Sequence, residues 1–458
     1  MLQFRKILLR IRRCIGRFTP MQIIVLVFLL IILMGTLLLM LPVSAKSREM
    51  TPFLTALFTA TSCTCVTGLA LVDTFTHWSV FGQTVMLLLI QIGGLGFMTI
   101  VSLFFFAMHR KIGLKQRLLM AQSLGLDSLN GVVNMVRKVL RRTLIVEGIG
   151  AVLLSVRFAF QMPVGKALWW GVFHSISAFC NAGFDIMGAV DQGGSLIPYA
   201  GDLTVNLVLY GLIIVSGLGF FVWEDILSNR RFRKLSVYSR MVLIMTAVLV
   251  LGGAVLFALL EWNNPATLGG RPVGEKLLAA VFQSVTTRTA GFYTIPQNAL
   301  SGSSLALTDV LMLIGGSSGS TAGGIKTVTV GILVLSVLST ARGKSRLTVF
   351  RRTIDPRQVS DAVCVVGLVL GIALCSGMIL SVSNGLEFDV CLYETISAIA
   401  TVGLSTGITS VLNLGSQLIL IVLMFFGRVG IMTISLGFLL SDRAEERYHY
   451  AQTKIMIG

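Results

Sequence analysis

Val281-Phe282-Gln283-Ser284-Val285-Thr286-Thr287-Arg288-Thr289-Ala290-Gly291-Phe292 lies between two long apolar segments and ends in a Thr-Ala-Gly-Phe tetrapeptide. Three other stretches end in a similar way. Phe58 to Leu69 closes on Val66-Thr67-Gly68-Leu69, Phe173 to Phe184 on Asn181-Ala182-Gly183-Phe184, and Leu392 to Leu404 on Thr401-Val402-Gly403-Leu404. Serine stands six residues before the glycine in three of the four (Ser62, Ser177, Ser397), and Val285 takes that place in the other. The glycines are 115, 108 and 112 residues apart, so the chain reads as four copies of one unit, each roughly 110 residues long.

The 458 residues are 55% apolar and only 12% charged, with a mean hydropathy of +0.86. A soluble chain carries about 25% charged residues, and runs such as 21–41 match the roughly 20 residues that cross a bilayer. The chain is therefore expected to span a membrane several times. Its net charge of +17 does not point to nucleic acid, because 28 of the 37 Lys and Arg residues fall in five segments: 1–20, 109–142, 229–240, 341–357 and beyond 441. That bias is the positive-inside pattern, which places both termini and these loops in the cytoplasm, with lipid headgroups close by. The basic N-terminus resembles a signal peptide, but the apolar run behind it is too long for one and reads as the first spanning helix. The seven cysteines (Cys14, Cys63, Cys65, Cys180, Cys364, Cys375, Cys391) have no zinc or redox spacing and read as packing residues.

Each unit has three parts. Outer helices are expected at 21–41, 139–160, 241–262 and 361–383. Segments too short to span follow at 52–64, 166–180, 275–287 and 390–400, and second long helices at 78–108, 203–227, 307–338 and 417–440. Two crossings return the chain to its starting side, so the repeats run parallel around an axis along the membrane normal. The fold class is thus an all-α polytopic protein with four helix–half-helix–helix repeats around a pseudo-four-fold central pore. The expected divisions are an amphipathic N-terminus (1–20), repeat one (21–108), a loop (109–138), repeat two (139–228), a loop (229–240), repeat three (241–340), a loop (341–360), repeat four (361–440) and a C-terminus (441–458).

A half-helix that ends in an extended strand at membrane depth leaves carbonyls without helical partners, and such backbone must line water or ions. Carbonyls aimed at one axis can replace the hydration shell of a monovalent cation, and glycine permits the required backbone angles. The predicted filter is Val66, Thr67, Gly68; Asn181, Ala182, Gly183; Thr289, Ala290, Gly291; and Thr401, Val402, Gly403. None of the four carries the full Thr-Val-Gly-Tyr-Gly run of a selective potassium channel, so looser selectivity is expected. The second helices also repeat glycine clusters, at Gly93-Gly94-Leu95-Gly96, Ser216-Gly217-Leu218-Gly219, Gly316-Ser317-Ser318-Gly319 and Gly427-Arg428-Val429-Gly430. Small residues in the first two suit close helix packing. In repeat three the run Gly315-Gly316-Ser317-Ser318-Gly319-Ser320-Thr321-Ala322-Gly323-Gly324 should break the helix and form a gating loop, with Lys326 where the helix resumes. Arg428 stands roughly 16 Å into its helix at 1.5 Å per residue. An arginine there needs a cavity or a partner: either the carbonyls of the broken segment, or an ion pair with Glu147 or Glu394. Glu394 is placed to support the filter from behind, and Asp185 to attract cations at its entrance.

These segments resemble the Trk/Ktr/HKT superfamily of potassium transporters, and most closely its bacterial Ktr-type (KtrB/NtpJ-like) membrane subunits. The carriers are the four filter segments, the Gly/Ser break at 315–324 and Arg428. The resemblance implies uptake of monovalent cations, chiefly K+, with Na+ as an activating ion. It also implies a homodimer of two separate pores and a cytosolic ring of RCK-type nucleotide-binding regulatory subunits that moves the repeat-three loop. Family filter glycines correspond to Gly68, Gly183, Gly291 and Gly403, and the family's intramembrane arginine to Arg428. The chain lacks a Gly-rich nucleotide-binding motif, so nucleotide control must come from that partner. The competing function is a Na+- or H+-coupled symporter on the same fold, with Asp185 or Glu394 as coupling site. An enzyme is disfavoured, because His77, His109, His174 and His449 are dispersed, without metal or nucleophile spacing.

Overall fold

Residues 21–40 are apolar on every side, and the helix they form turns Leu26, Leu29, Leu30, Leu33 and Leu37 outward, each at least 44% exposed. In water such a stripe would be an aggregation surface, whereas hydrocarbon is a matching solvent for it. The computed structural model describes residues 20–96, 132–190, 194–344 and 346–430. The expected amphipathic N-terminus, most of the first basic loop and the C-terminal segment lie outside the described residues.

One element order occurs four times. The first set is α1 (Pro20–Met40), α2 (Phe53–Cys65) and α3 (Val80–Leu95); the second is α4 (Val132–Ala159), α5 (Val164–Cys180), α6 (Leu203–Leu218) and α7 (Phe220–Asn229). The third is α8 (Val237–Glu261), α9 (Val273–Thr286), α10 (Gly302–Leu313) and α11 (Thr327–Ala341). The fourth is α12 (Pro356–Asn384), α13 (Phe388–Ile399) and α14 (Leu414–Phe425), which runs on as a π-turn over Phe426–Gly430. Among the described residues, α8 and α12 are each long and apolar enough to cross a bilayer, and α6 with α7 would make one more. In every set the long first helix packs on the short one, and the short ones form the buried centre: nine residues of α2 and eight of α13 are buried.

The helix starts follow from side-chain chemistry at repeated positions. Three short helices begin after a proline (Pro52, Pro163, Pro272), whose fixed φ suits a helix entry. The helices that follow the four short ones are each capped by a short polar side chain accepting from a first-turn amide: Ser79 for α3, Asp202 for α6, Ser301 for α10 and Asn413 for α14. Such a cap contributes about 1 kcal/mol. A further fixed point is Glu261, fully buried at the end of α8. Its carboxylate accepts from the amide and hydroxyl of Ser301 (2.9 and 2.6 Å), from Asn264 Nδ2 (2.6 Å) and from Thr267 Oγ1 (2.6 Å).

Three expectations need correction. The second helix of repeat two is not continuous over 203–227: it ends at Gly219 (φ 89°), and α7 leaves at 93° to α6. Gly219 therefore breaks the helix, and is not only a small residue at a packing face. The chain is not wholly helical either. Thr348–Val349 pairs antiparallel with Arg352–Thr353 across a two-residue turn in which Phe350 and Arg351 both have positive φ, the geometry of a tight hairpin. Finally, Cys63, Cys65, Cys180 and Cys391 are buried packing residues, but Cys364 and Cys375 are exposed on the outer surface of α12.

Replacing Glu261 by alanine strands several buried donors, each costing about 1–3 kcal/mol. Glu261→Ala is expected to lower the thermal unfolding midpoint of the detergent-solubilised protein clearly, and Glu261→Gln, which keeps an acceptor oxygen, to lower it less. Midpoints equal to the parent's in both variants would show that the network contributes nothing.

Candidate functional site

Each short helix ends in the same backbone event. The residue two before the glycine is left-handed, at Val66 (φ 58°), Asn181 (58°), Thr289 (68°) and Thr401 (51°), and the glycine follows with φ of 99°, 67°, 83° and 91°. A β-branched residue in that region is strained, so the surroundings must hold it there. The holding bonds are Thr67 N to Ser62 O, Ala182 N to Ser177 O and Val402 N to Ser397 O, each 2.8 Å. In repeat three the bond is Ala290 N to Thr286 O, 2.9 Å, one residue shorter. This shift explains why no serine stands six before Gly291. Ser62 Oγ accepts from Gly68 N, Ser397 Oγ accepts from Gly403 N (3.1 Å each), and Ser177 Oγ donates to Phe184 O (2.6 Å). Thr286, five before its glycine, donates to Phe292 O in their stead.

The four glycines close a ring. A methyl group on Gly68 would lie 2.5 Å from Ala182 O, one on Gly183 2.8 Å from Gly291 Cα, one on Gly291 2.6 Å from Val402 O, and one on Gly403 2.1 Å from Thr67 O. Glycine is required at all four positions by the next strand as well as by its own φ. The predicted filter residues are thus brought together, each strand against its neighbour. Next to the ring is a cavity of about 410 Å³, lined by the four glycines, Asp73, Asp185, Gln297, Asn298 and Ser405 among others. Asp185 also lines this cavity, accepting from Met187 N at 3.0 Å. Asp73, which the sequence did not single out, supplies a second carboxylate there. Glu394 sits fully buried behind the fourth strand and accepts from Ser405 Oγ and, at 3.2 Å, from Thr409 Oγ1.

The broken helix of repeat three is clasped at its neck. Gly315 N donates to Ile325 O and Ile325 N to Leu313 O, both 3.0 Å, so α10 and α11 stay joined while the chain between them makes an excursion. A methyl on Gly315 would come within 2.0 Å of Gly323 O, which is why the neck needs glycine. The loop is then tied to repeats two, three and four. Ser317 N donates to Gly217 O (3.0 Å), Phe220 N to Gly319 O (2.9 Å) and Tyr238 Oη to Ser318 O (3.0 Å). Thr321 Oγ1 donates to Phe179 O at 3.1 Å, and Lys326 Nζ to Ala322 O at 2.9 Å. Arg428, carried by the π-turn, donates from Nη1 to Thr321 O (2.5 Å) and from Nη2 to Gly93 O (2.6 Å) and Gly94 O (3.3 Å). Its described hydrogen bonds therefore go to carbonyls. The carboxylates named as alternatives are engaged elsewhere, Glu147 with Gln91 Nε2 (3.1 Å to each oxygen) and Glu394 as above.

Two further features escaped the sequence reading. Arg288 is a buried arginine one residue before the third predicted filter strand, and its Nη2 donates to Gly315 O at 3.3 Å. An arginine in an apolar chain is a signal in itself, and the rule that flagged Arg428 applies equally to Arg288. The bend at Gly219 was hidden because Gly217 and Gly219 also fit close helix packing.

The sequence profile of the TrkH cation transport proteins matches residues 15–447. The chain belongs to this family. Within or near it, the chain is 41% identical over 454 residues to the potassium/sodium uptake protein NtpJ of Enterococcus hirae, covering 98% of this chain and 99% of that one. It is 40% identical over 432 residues to the Ktr system potassium uptake protein B of Bacillus subtilis, covering 94% and 96%. The fold matches the crystal structure of the potassium transporter TrkH from Vibrio parahaemolyticus with a TM-score of 0.67 at 18% identity, over 91% of this chain and 84% of that one. The Ktr-type resemblance read from the filter segments and Arg428 agrees with these TrkH-family relatives.

Gly403→Ala places a methyl against Thr67 O at a φ that strains any side chain. The variant is expected to lose cation flux in proteoliposomes by at least about tenfold while remaining monodisperse in detergent, since a displaced ring carbonyl of even 1.4 kcal/mol in consequence is a tenfold rate effect. Parent-like flux would remove the ring from the ion path.

Proposed function

We propose that the chain is a K+ uptake subunit of the cell membrane, conducting through a pseudo-four-fold pore whose selectivity filter is the glycine ring. The observation that carries this is the closed circuit of four strands, Gly68 to Gly183 to Gly291 to Gly403 and back, with a carboxylate-bearing cavity on one side and the loop 315–324 on the other. Carbonyls turned inward at that ring replace water around a dehydrated monovalent cation. Asp73 and Asp185 raise the local cation concentration at the entrance. The relatives' names, potassium or potassium/sodium uptake, supply the ion class, K+ with Na+ as an activating or accompanying ion.

Beneath the ring, Arg428 acts twice. Its charge opposes a cation below the filter, and its two donor arms pin Thr321 to Gly93 and Gly94, holding the loop across the path. Opening requires the loop to exchange these bonds for others. The Ktr system names of relatives support control by a cytosolic partner, for which an RCK-type nucleotide-binding ring is the proposed class. The lipid-facing outer helices, the cytosolic basic loops and a homodimer of separate pores complete the proposal. A coupled symporter would instead use Asp185 or Glu394 as its second-ion site.

Two variants test the gate in proteoliposomes without a cytosolic partner. Deletion of 316–323, and Arg428→Ala, are each expected to raise K+ flux about tenfold or more, the scale of losing one or two charge-assisted hydrogen bonds. Unchanged or lower flux in both would remove the gating role. Transport that tracks a Na+ or H+ gradient, carries no K+ current, and loses that coupling in Asp185→Asn or Glu394→Gln would replace the conduit with the symporter.

A further inference from the structure

Arg288 occupies a position where the other repeats are small. Three residues before the filter glycine stand Cys65, Cys180 and Ala400, but Arg288 in repeat three, the repeat whose second helix is broken. Arg288 is 6% exposed, and its guanidinium reaches Gly315 O, the first residue of the loop, at 3.3 Å. The next residue, Thr289, is the first of the third filter strand, and its Oγ1 accepts from Gly323 N at 3.2 Å. Gly315 and Gly323 face each other across the neck, with room for no side chain between them. Two adjacent residues at the start of one filter strand therefore grip both sides of the loop's neck. The second filter strand also meets this region, Asn181 accepting from Ser216 Oγ of its own second helix (3.3 Å) and lying 3.4 Å from Thr321 Oγ1 through Nδ2, but among the described hydrogen bonds only the third strand holds both sides of the neck.

We propose that Arg288 and Thr289 form a clamp that couples the position of loop 315–324 to the geometry of the third filter strand, so that gate and selectivity are not independent. The proposal rests on the gating role of the loop given above. Thr289 is held at φ 68°, a strained setting for a β-branched residue, and the bond from Gly323 N is one of the contacts that hold it. When the loop leaves its place, the neck glycines move, Thr289 loses that contact, and the strand can relax away from its filter geometry. Arg288 has the means to follow the neck, because its buried Nη1 has no described hydrogen-bond partner and is a spare donor for a displaced carbonyl. A planar guanidinium can hand a carbonyl from one nitrogen to the other without leaving the site. The chemistry recognised is the backbone of the loop itself, and Arg288 is a positioning residue that acts on the ion path through Thr289.

The test is a reversal-potential measurement of the K+/Na+ permeability ratio in proteoliposomes for the parent, Arg428→Ala, Arg288→Gln and the double variant, together with flux. The clamp predicts that Arg428→Ala raises flux and lowers the ratio, by about threefold or more, the scale of one net hydrogen bond. Arg288→Gln is expected to lower the ratio by itself, and the double variant to show the ratio of Arg288→Gln, because the link is already cut. A helix-end charge with a purely structural role would change protein yield or flux and leave the ratio at the parent's value. That result, with Arg428→Ala still raising flux, overturns the clamp and leaves the gate intact. Failure of Arg428→Ala and of the loop deletion to raise flux overturns the gating role instead. Should Arg288→Gln not fold, Thr289→Val removes only the acceptor for Gly323 N. The same fall in ratio is then expected, and a parent-like ratio in Thr289→Val overturns the proposal.

Discussion

Backbone that leaves a helix inside hydrocarbon has to find its hydrogen bonds within the protein or along a wet path, and most of this structure answers that requirement. Each unsatisfied group costs several kcal/mol in the absence of water. The four strands that follow the short helices meet it on one side with i to i−5 or i−4 bonds and with Ser62, Ser177, Thr286 or Ser397. Where the strands meet, their four glycines leave no room for a Cβ. The broken helix of repeat three meets it differently, by clasping its neck and then borrowing partners from repeats two and four.

The long cationic side chains around the loop have one job in common. Arg288, Lys326 and Arg428 all donate to carbonyls at or near the loop, Gly315, Ala322 and Thr321 respectively. A segment with five glycines has little side-chain packing of its own, so its place is set by what its backbone can bond. Cationic donors make strong bonds to carbonyls.

Much of this was legible in the chain because the repeated chemistry is local. The equal spacing of Gly68, Gly183, Gly291 and Gly403, and the short segments before them, follow from what a half-helix and a turn require of the residues that form them. Further repeated signals were present as well: proline before three short helices, and Ser79, Asp202, Ser301 and Asn413 as caps. The missing serine before Gly291 could not be interpreted from sequence, because the one-residue change in the end of α9 that makes Thr286 its substitute is a matter of backbone path. Gly219 was equally ambiguous, since a helix break and a close packing face both call for glycine.

The sequence by itself determined the membrane solvent, the fourfold element order and the two exceptional segments, 315–324 and Arg428, since each is a property of composition or of neighbours along the chain. Only the tertiary structure decided how those pieces face one another. It put Gly403 against Thr67 and so turned four turns into a ring. It sent Arg428 to the carbonyls of Thr321, Gly93 and Gly94 and not to a carboxylate, and it brought Arg288 and Thr289 onto the two sides of the loop's neck. These partners stand up to 335 residues apart, and a hydrogen bond depends on distance in space, which no local pattern of residues specifies.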